Sequence, residues 1–159
     1  MTEQEAYLRL TALCAQAEHC PQEMRDKMTR WDIDETEQER IIARLTEERY
    51  IDEERYARAF AKDKIRYNKW GRRKVQQALW MKRISADIQQ RVLDEIDENE
   101  YISVLRPLLQ QKRKSIKARN DYELNQKLVR FALGRGFGFD IIRRCMDVPD
   151  DMDISDAED

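Results

Sequence analysis

The sequence repeats itself at a nearly constant interval, and this constrains the possible folds more than any other feature. Tyr50-Ile51 recurs 51 positions later as Tyr101-Ile102, and Ile33-Asp34 recurs at the same offset as Ile84-Ser85. A shift of 53 positions brings a third copy into register, with the pairs Ile84 and Phe137, Ile88 and Ile141, and Arg91 and Arg144. Repeats of about 50 residues indicate a modular array, in which each unit buries its apolar face against its neighbours.

Residues suited to begin helices fall in the same register as the repeat. Asp34 and Ser85 are good N-cap residues at equivalent positions, and Gly138 is tolerated at the third. Asp52 and Ser103 form a second pair of predicted caps. With only four Gly and three Pro and 39% charged residues, the composition favours helices over a sheet.

We therefore predict an all-α fold of three tandem three-helix repeats that form an elongated, curved array. The predicted repeats cover residues 1–50, 51–102 and 103–147, and residues 148–159 are predicted to be a disordered acidic tail. The predicted helices are 3–17, 21–31, 34–48, 52–68, 71–82, 85–96, 103–118, 121–134 and 138–147.

The net charge of −2 conceals a segregated distribution. Residues 1–54 carry 7 basic and 15 acidic groups, a net charge of −8, whereas residues 55–92 carry 12 basic and 2 acidic groups, a net charge of +10. Residues 103–146 are again basic, with 11 basic and 3 acidic groups. Segregation of this kind raises the local potential and suits a polyanionic partner.

The predicted helix that begins at Asp52 carries a row of cations. At 100° per residue they fall within an arc of about 80°, and the apolar Tyr56, Phe60 and Tyr67 lie on roughly the opposite side. The row consists of Arg55, Arg58, Lys62, Arg66 and Lys69. Arg72, Arg73 and Lys74 follow at the adjoining turn, and a weaker row of Arg106, Arg113 and Lys117 lies on the helix predicted from Ser103.

Such a row has a simpler reading as a solvated face, but a solvated face normally mixes charges of both signs at i±4 spacing. Between residues 55 and 92 the acids are Asp63 and Asp87 alone. Nucleic-acid phosphate and an acidic groove on a protein would both neutralise the row, and the sequence does not separate them. Trp70, Tyr67 and Trp80 lie among the cations and are candidates for base stacking, although aromatic residues of this kind more often belong to a core.

The sequence contains no recognised catalytic or metal-binding pattern. His19 is the sole histidine and forms no recognised zinc spacing with Cys14 and Cys20. The run Gly134-Arg135-Gly136-Phe137-Gly138 lacks the Lys-Ser/Thr of a phosphate-binding loop, so we interpret it as a helix-ending turn. We predict no enzyme, no metal and no cofactor. Three cysteines and no apolar membrane span favour a reduced, cytoplasmic protein without a membrane partner.

The segment from Tyr50 to Ala57, read with Trp70-Gly71-Arg72-Arg73-Lys74-Val75, Leu79 and Lys82-Arg83-Ile84, resembles the signature of the bacterial RecX regulators. The stretches Lys127–Phe131 and Arg135–Phe137 resemble the closing segment of that family. The sequence departs from the family pattern at Arg83, where glycine is common, and at Arg72, where proline is frequent.

The resemblance implies tandem three-helix units, in agreement with the repeat. It also implies a function, since RecX proteins bind the RecA recombinase filament in its helical groove and restrain its ATPase and strand-exchange activities. Some members also bind DNA, so single- and double-stranded DNA are further expected partners. We expect the protein to be a monomer. The alternative from another class is a nucleic-acid-binding helical repeat protein that acts without a recombinase partner.

Overall fold

The chain is helical throughout the part that the computed structural model describes, residues 1–154. Within that range it has nine helices and no strand, so the all-α prediction is confirmed. The helices are α1 Glu3–Gln16, α2 Pro21–Arg30, α3 Glu35–Glu47, α4 Glu53–Arg66, α5 Arg72–Met81, α6 Ala86–Asp94, α7 Glu98–Arg113, α8 Asp121–Gly134 and α9 Phe139–Cys145.

Most of the predicted helix starts are confirmed by the hydrogen bonds of the caps. The carboxylate of Asp34 accepts from the Glu37 amide at 2.8 Å, and that of Asp52 accepts from the Arg55 amide at 2.9 Å. Pro21 is the first residue of α2, where its missing N–H costs no helical hydrogen bond. Gly138 is the N-cap of α9.

The start of α7 was predicted wrongly. Ser103 lies inside the helix, and the N-cap is Asp97, whose carboxylate accepts from the Asn99 amide at 2.7 Å. Glu98 and Glu100 follow in the first turn, where acidic side chains interact favourably with the helix dipole. The helix therefore begins earlier than the repeat implies and ends at Arg113.

A residue in the left-handed backbone conformation occurs at the turn before the third helix of each predicted repeat. Asp32 and Arg83, 51 positions apart, both have φ of 59°, and Gly136, 53 positions further on, has φ of 95°. Each precedes a buried apolar residue, namely Ile33, Ile84 and Phe137. The left-handed conformation costs a residue with a Cβ about 1–2 kcal/mol. Asp32 and Arg83 nevertheless adopt it, so the same backbone turn forms in the first two repeats without glycine.

Two buried glutamines repeat the same contact. The Gln38 amide donates to the Ile33 carbonyl at 2.8 Å, and Gln89, 51 positions later, donates to the Ile84 carbonyl at 2.8 Å. In the third copy the equivalent position is Ile142, which is also buried. The side-chain hydrogen bond therefore stabilises the first two turns only.

The described chain separates into two compact units. Unit 1 comprises Met1–Phe60 and Leu79–Val92, and in it α1 and α2 pack on α3 around Leu10, Met24, Met28 and Leu45. Unit 2 comprises Ala61–Ala78 and the described residues from Leu93 onward, and in it α7 packs on α8 and α9. The division into three repeats at residues 50, 102 and 147 stays a prediction.

The predicted disordered tail is partly described. Residues 150–151 form a turn, and the Met152 amide donates to the Pro149 carbonyl at 3.0 Å. From α8, Gln126 donates to the Asp153 carbonyl at 2.6 Å and Arg130 donates to the Ile154 carbonyl at 2.8 Å. The carbonyls of Asp153 and Ile154 therefore contact side chains of α8, and residues 155–159 of the predicted tail lie outside the described part of the chain.

Candidate functional site

The first two cations of the α4 row contact carboxylates within unit 1. The Arg55 guanidinium lies 2.7 Å from Glu18 and also donates to the carbonyls of Arg49 and Tyr50, both at 3.2 Å. Arg58 lies 3.8 Å from Glu54 one helical turn away. Arg55 and Arg58 therefore each have a carboxylate partner within unit 1, and the interpretation of the row from the sequence did not include these ion pairs.

The remaining cations of the α4 row belong to unit 2 and are exposed. Among residues 1–154, no carboxylate forms an ion pair with Lys62 or Arg66. Lys69 lies beyond the end of α4 in a left-handed conformation, with φ of 59°, and its ammonium group donates to the Arg66 carbonyl at 2.7 Å. Lys62 and Arg66 are therefore the cations of this row that are most available to a partner.

The three cations at the start of α5 have three different environments. Arg72 pairs with Asp94 at 2.7 Å. Arg73 is exposed, and Lys74 is half-buried with its ammonium group 5.1 Å from the centre of the Trp70 ring. Arg73 alone of the three presents a side chain with no carboxylate or ring contact in the described part of the chain.

A close backbone contact fixes this turn within unit 2. The Gly71 amide donates to the Arg135 carbonyl at 2.8 Å, and the Arg73 amide donates to the Gly136 carbonyl at 3.1 Å. The guanidinium of Arg135 also donates to the Lys69 carbonyl at 3.2 Å and to that of Asn68. The interpretation of the glycine-rich run as a helix-ending turn is confirmed, and the turn additionally caps the amide groups that begin α5.

The three candidate stacking residues differ in their exposure. Trp70 is half-buried, and the ammonium groups of Lys64 and Lys74 lie 5.2 and 5.1 Å from its ring centre. Tyr67 is 71% exposed and Trp80 is 72% exposed. The sequence analysis placed Tyr67 on the apolar side of α4, opposite the cations. Because α4 ends at Arg66, Tyr67 instead lies beyond the end of the helix. Tyr67 and Trp80 can reach a partner, whereas the Trp70 ring is already engaged by cations.

The weaker basic row of the third predicted repeat is divided in the same way. Arg106 donates to the Arg144 carbonyl at 2.8 Å, which ties α7 to the end of α9. Arg113 is the last residue of α7, and Lys117 lies in the loop before α8, so the two no longer share a helical face. Both are exposed.

A groove of about 690 Å³ lies within unit 2 between the end of α4 and one face of α7. The α4 side presents Lys62, Ile65, Arg66 and Lys69. The α7 side presents Glu100, Ser103, Val104, Pro107, Leu108 and Gln111, which recur at helical spacing. We call this the α4–α7 groove. The sequence did not predict this groove because its lining comes from two helices that are distant in the chain, and no local pattern shows how they pack.

The cysteines carry no sign of nucleophilic chemistry. Cys14, Cys20 and Cys145 are free thiols, and burial raises the pKa of each, which disfavours the reactive thiolate. Within residues 1–154, no three His, Cys, Asp or Glu side chains cluster in a way that could hold a metal ion. None of the helices in that range is long and apolar enough to cross a membrane.

Fold and surface together define an all-helical protein of three-helix domains with exposed basic residues on successive helices. Family models identify the domains. Residues 52–93 match the second three-helix domain of RecX, and residues 98–146 match the third. The chain belongs to the RecX family.

Curated relatives agree with this assignment. The regulatory protein RecX of Clostridium botulinum strain Eklund 17B is 36% identical over 124 residues, which cover 76% of this chain and 57% of the relative. That of Clostridium perfringens strain SM101 is 34% identical over 77% of this chain and 59% of the relative. The chain thus spans less than two thirds of these relatives. The Vibrio parahaemolyticus protein is 27% identical, with 87% of this chain and 88% of the relative covered.

Solved structures show the same fold. The crystal structure of RecX from Lactobacillus salivarius matches with a TM-score of 0.79 at 20% identity, over 90% of this chain and 93% of the other. A second structure, described as regulatory protein RecX, matches with a TM-score of 0.83 at 17% identity, over 90% of this chain and 72% of the other.

Proposed function

We propose that this protein is a non-enzymatic regulator that binds the RecA–DNA filament and inhibits it, restraining ATP hydrolysis and strand exchange. The observation that carries the proposal is the match of two successive three-helix domains to RecX. The relatives are named regulatory proteins, which agrees with a protein that modulates a partner.

The protein would lie in the groove of the filament and contact more than one RecA protomer. Several weak contacts along one chain then add by avidity, because each bound site raises the effective concentration of the next. The protein would act in the cytoplasm, a reducing compartment in which three free cysteines stay reduced.

Of the cations predicted from the sequence as partner contacts, we expect the filament to be contacted by the exposed ones whose side chains make no ion pair, ring contact or carbonyl hydrogen bond within residues 1–154. On this criterion we propose Lys62, Arg66, Arg73, Arg113 and Lys117 as the main contacts. Lys69 and Lys74 would contribute less, because each ammonium group already contacts a carbonyl or a ring. Arg55, Arg58, Arg72 and Arg106 would act mainly by holding the helices that carry the others.

The test is the DNA-dependent ATPase of RecA on saturated single-stranded DNA, with increasing amounts of this protein. We expect a dose-dependent fall in ATP hydrolysis and a weaker effect of Lys62→Glu/Arg66→Glu. The matched control is Lys27→Glu/Arg30→Glu, which makes the same charge change on α2 and should inhibit like the parent protein. Unchanged ATPase at an excess of the parent protein would overturn the proposal.

A second candidate function, direct binding of nucleic acid without RecA, is favoured by the exposure of Tyr67 and Trp80. Stacking on an aromatic ring contributes about 1–3 kcal/mol per base. Tyr67→Ala and Trp80→Ala should then weaken DNA binding, and the affinity should fall steeply with salt, with each lost phosphate contact lowering the slope by about one. Tight DNA binding together with an unaffected RecA ATPase would favour this candidate over the regulator.

A further inference from the structure

The α4–α7 groove has a positive edge that the protein itself leaves uncompensated. Lys62 and Arg66 are four residues apart on α4, and like charges at this spacing destabilise a helix by about 0.2–0.5 kcal/mol. Glu100 lines the other side of the groove, yet neither cation forms an ion pair with it in the described chain. Three cations against one carboxylate leave the groove with a net charge of +2.

The floor of the groove is apolar. Ile65 is buried, while Val104 and Leu108 are half-buried and the ring of Pro107 is exposed. A partner that contributed only phosphates would gain nothing from these four side chains, since apolar burial contributes about 25 cal/mol per Å² only when apolar surface covers apolar surface.

The α7 side also offers a backbone acceptor. Pro107 lies inside the helix and has no N–H, so the Ser103 carbonyl lacks the donor that an α-helix normally supplies four residues later. Both residues line the groove. The Ser103 carbonyl is therefore a candidate acceptor for an N–H or side-chain donor of a polypeptide in the groove.

From these three features we infer that the α4–α7 groove binds an acidic segment of a protein partner that also carries apolar side chains. The acidic groups pair with Lys62 and Arg66, and the apolar side chains cover Val104, Pro107 and Leu108. The inference deepens the proposed function, because it assigns a part of the surface that would meet the recombinase and the chemistry of the segment it would meet there.

The test measures binding of the whole chain to a labelled peptide in which Leu recurs at i, i+3 and i+4 between Glu residues. A poly-Glu peptide of equal charge and a dT oligonucleotide are the comparison probes. We expect the Leu-containing peptide to bind at least about tenfold more tightly than either probe, since only it can cover the apolar floor. Equal affinity for the poly-Glu peptide or the oligonucleotide would overturn the inference, as would no binding of the Leu-containing peptide.

Two groove variants and a matched control locate the site. Lys62→Glu/Arg66→Glu and Leu108→Gln should each weaken peptide binding at least about tenfold. The control, Lys27→Glu/Arg30→Glu, makes the same charge change on α2, outside the groove and outside the proposed contact residues, and should have little effect. Leu108 is half-buried, so its replacement could disturb folding, which circular dichroism checks. Gln111→Glu places a negative charge at an exposed groove position and should also weaken binding of the acidic peptide.

The experiments can overturn the regulator proposal and the groove inference independently of each other. If the parent protein inhibits RecA but the groove variants inhibit as well as the parent, the groove inference is wrong and the regulator proposal stands. If the parent protein leaves RecA untouched while the Leu-containing peptide still binds in the groove, the regulator proposal is wrong and the groove inference stands.

Discussion

The backbones of Gly71 and Gly136 lie so close together that a Cβ on Gly71 would sit 2.4 Å from the carbonyl carbon of Gly136. The contact joins the turn before α5 to the turn after α8 in unit 2, and two amide-to-carbonyl hydrogen bonds accompany it. No side-chain rotation can relieve a clash between backbones, so the close approach requires a residue without a side chain at position 71.

The first prediction tests this contact. Gly71→Ala should lower the free energy of unfolding by about 3 kcal/mol, the upper end of the range for overpacking, because the backbone must move. Gly134→Ala is the matched control: a Cβ there meets nothing within 4 Å at the end of α8, and alanine should stabilise the helix by about 0.5–1 kcal/mol. Urea unfolding of both variants measures the difference, and equal stabilities would contradict the packing described.

The second prediction concerns Arg83, which adopts a left-handed conformation with φ of 59°. Arg83→Gly should raise the free energy of unfolding by about 0.5–1 kcal/mol, since relief of the steric strain exceeds the extra freedom of the unfolded chain. Gln76→Gly places the same residue at an exposed helical position of α5 and should instead cost about 1 kcal/mol. A loss of stability in Arg83→Gly would show that the arginine side chain contributes more than its backbone costs.

The third prediction is an alkaline loss of stability that involves Tyr101. Its hydroxyl is buried without a hydrogen-bond partner in the described chain, and burial raises the pKa of Tyr101 to about 12. An unfolded tyrosine ionises near pH 10, so between pH 10 and 12 the unfolded chain binds fewer protons than the folded chain and stability falls as pH rises. Below pH 10 this contribution is fully present.

Tyr101→Phe should therefore flatten the loss above pH 10 and leave stability at pH 7 equal or slightly higher, because no hydrogen bond is removed. Tyr7→Phe is the comparison, since the Tyr7 hydroxyl donates to Glu48 and its removal should cost about 1 kcal/mol at pH 7. Thermal unfolding over a pH series measures both. A marked destabilisation of Tyr101→Phe at pH 7 would reveal a partner for the hydroxyl.

The fourth prediction separates structural cations from available ones. Arg55→Ala should lower the free energy of unfolding by about 1 kcal/mol, because it removes an ion pair with Glu18 and two hydrogen bonds to backbone carbonyls. Lys62→Ala should change it by less than about 0.5 kcal/mol, as expected for an exposed side chain without such contacts. Equal effects in chemical denaturation would remove the basis for dividing the α4 row.

The sequence predicted the features that depend on residues within one or two helical turns, namely helix starts and turns. The caps Asp34 and Asp52, the position of Pro21 and the helix-ending turn in the glycine-rich run from Gly134 depend on neighbours a few residues away, so they could be located from residue type and spacing. The start of α7 was misplaced because the repeat pointed to Ser103, whereas the local capping preference of Asp97 and the acids after it prevailed.

Only the tertiary structure decided which cations are available. Arg55 pairs with Glu18, 37 positions away, and Arg72 pairs with Asp94, 22 positions away, and no local pattern connects such residues. The same holds for Gly71, whose need for glycine comes from a backbone 65 positions further along the chain. Local sequence determined the helices because hydrogen bonds within a helix span four residues, whereas the pairing of charges and the shape of a groove depend on how separate helices pack.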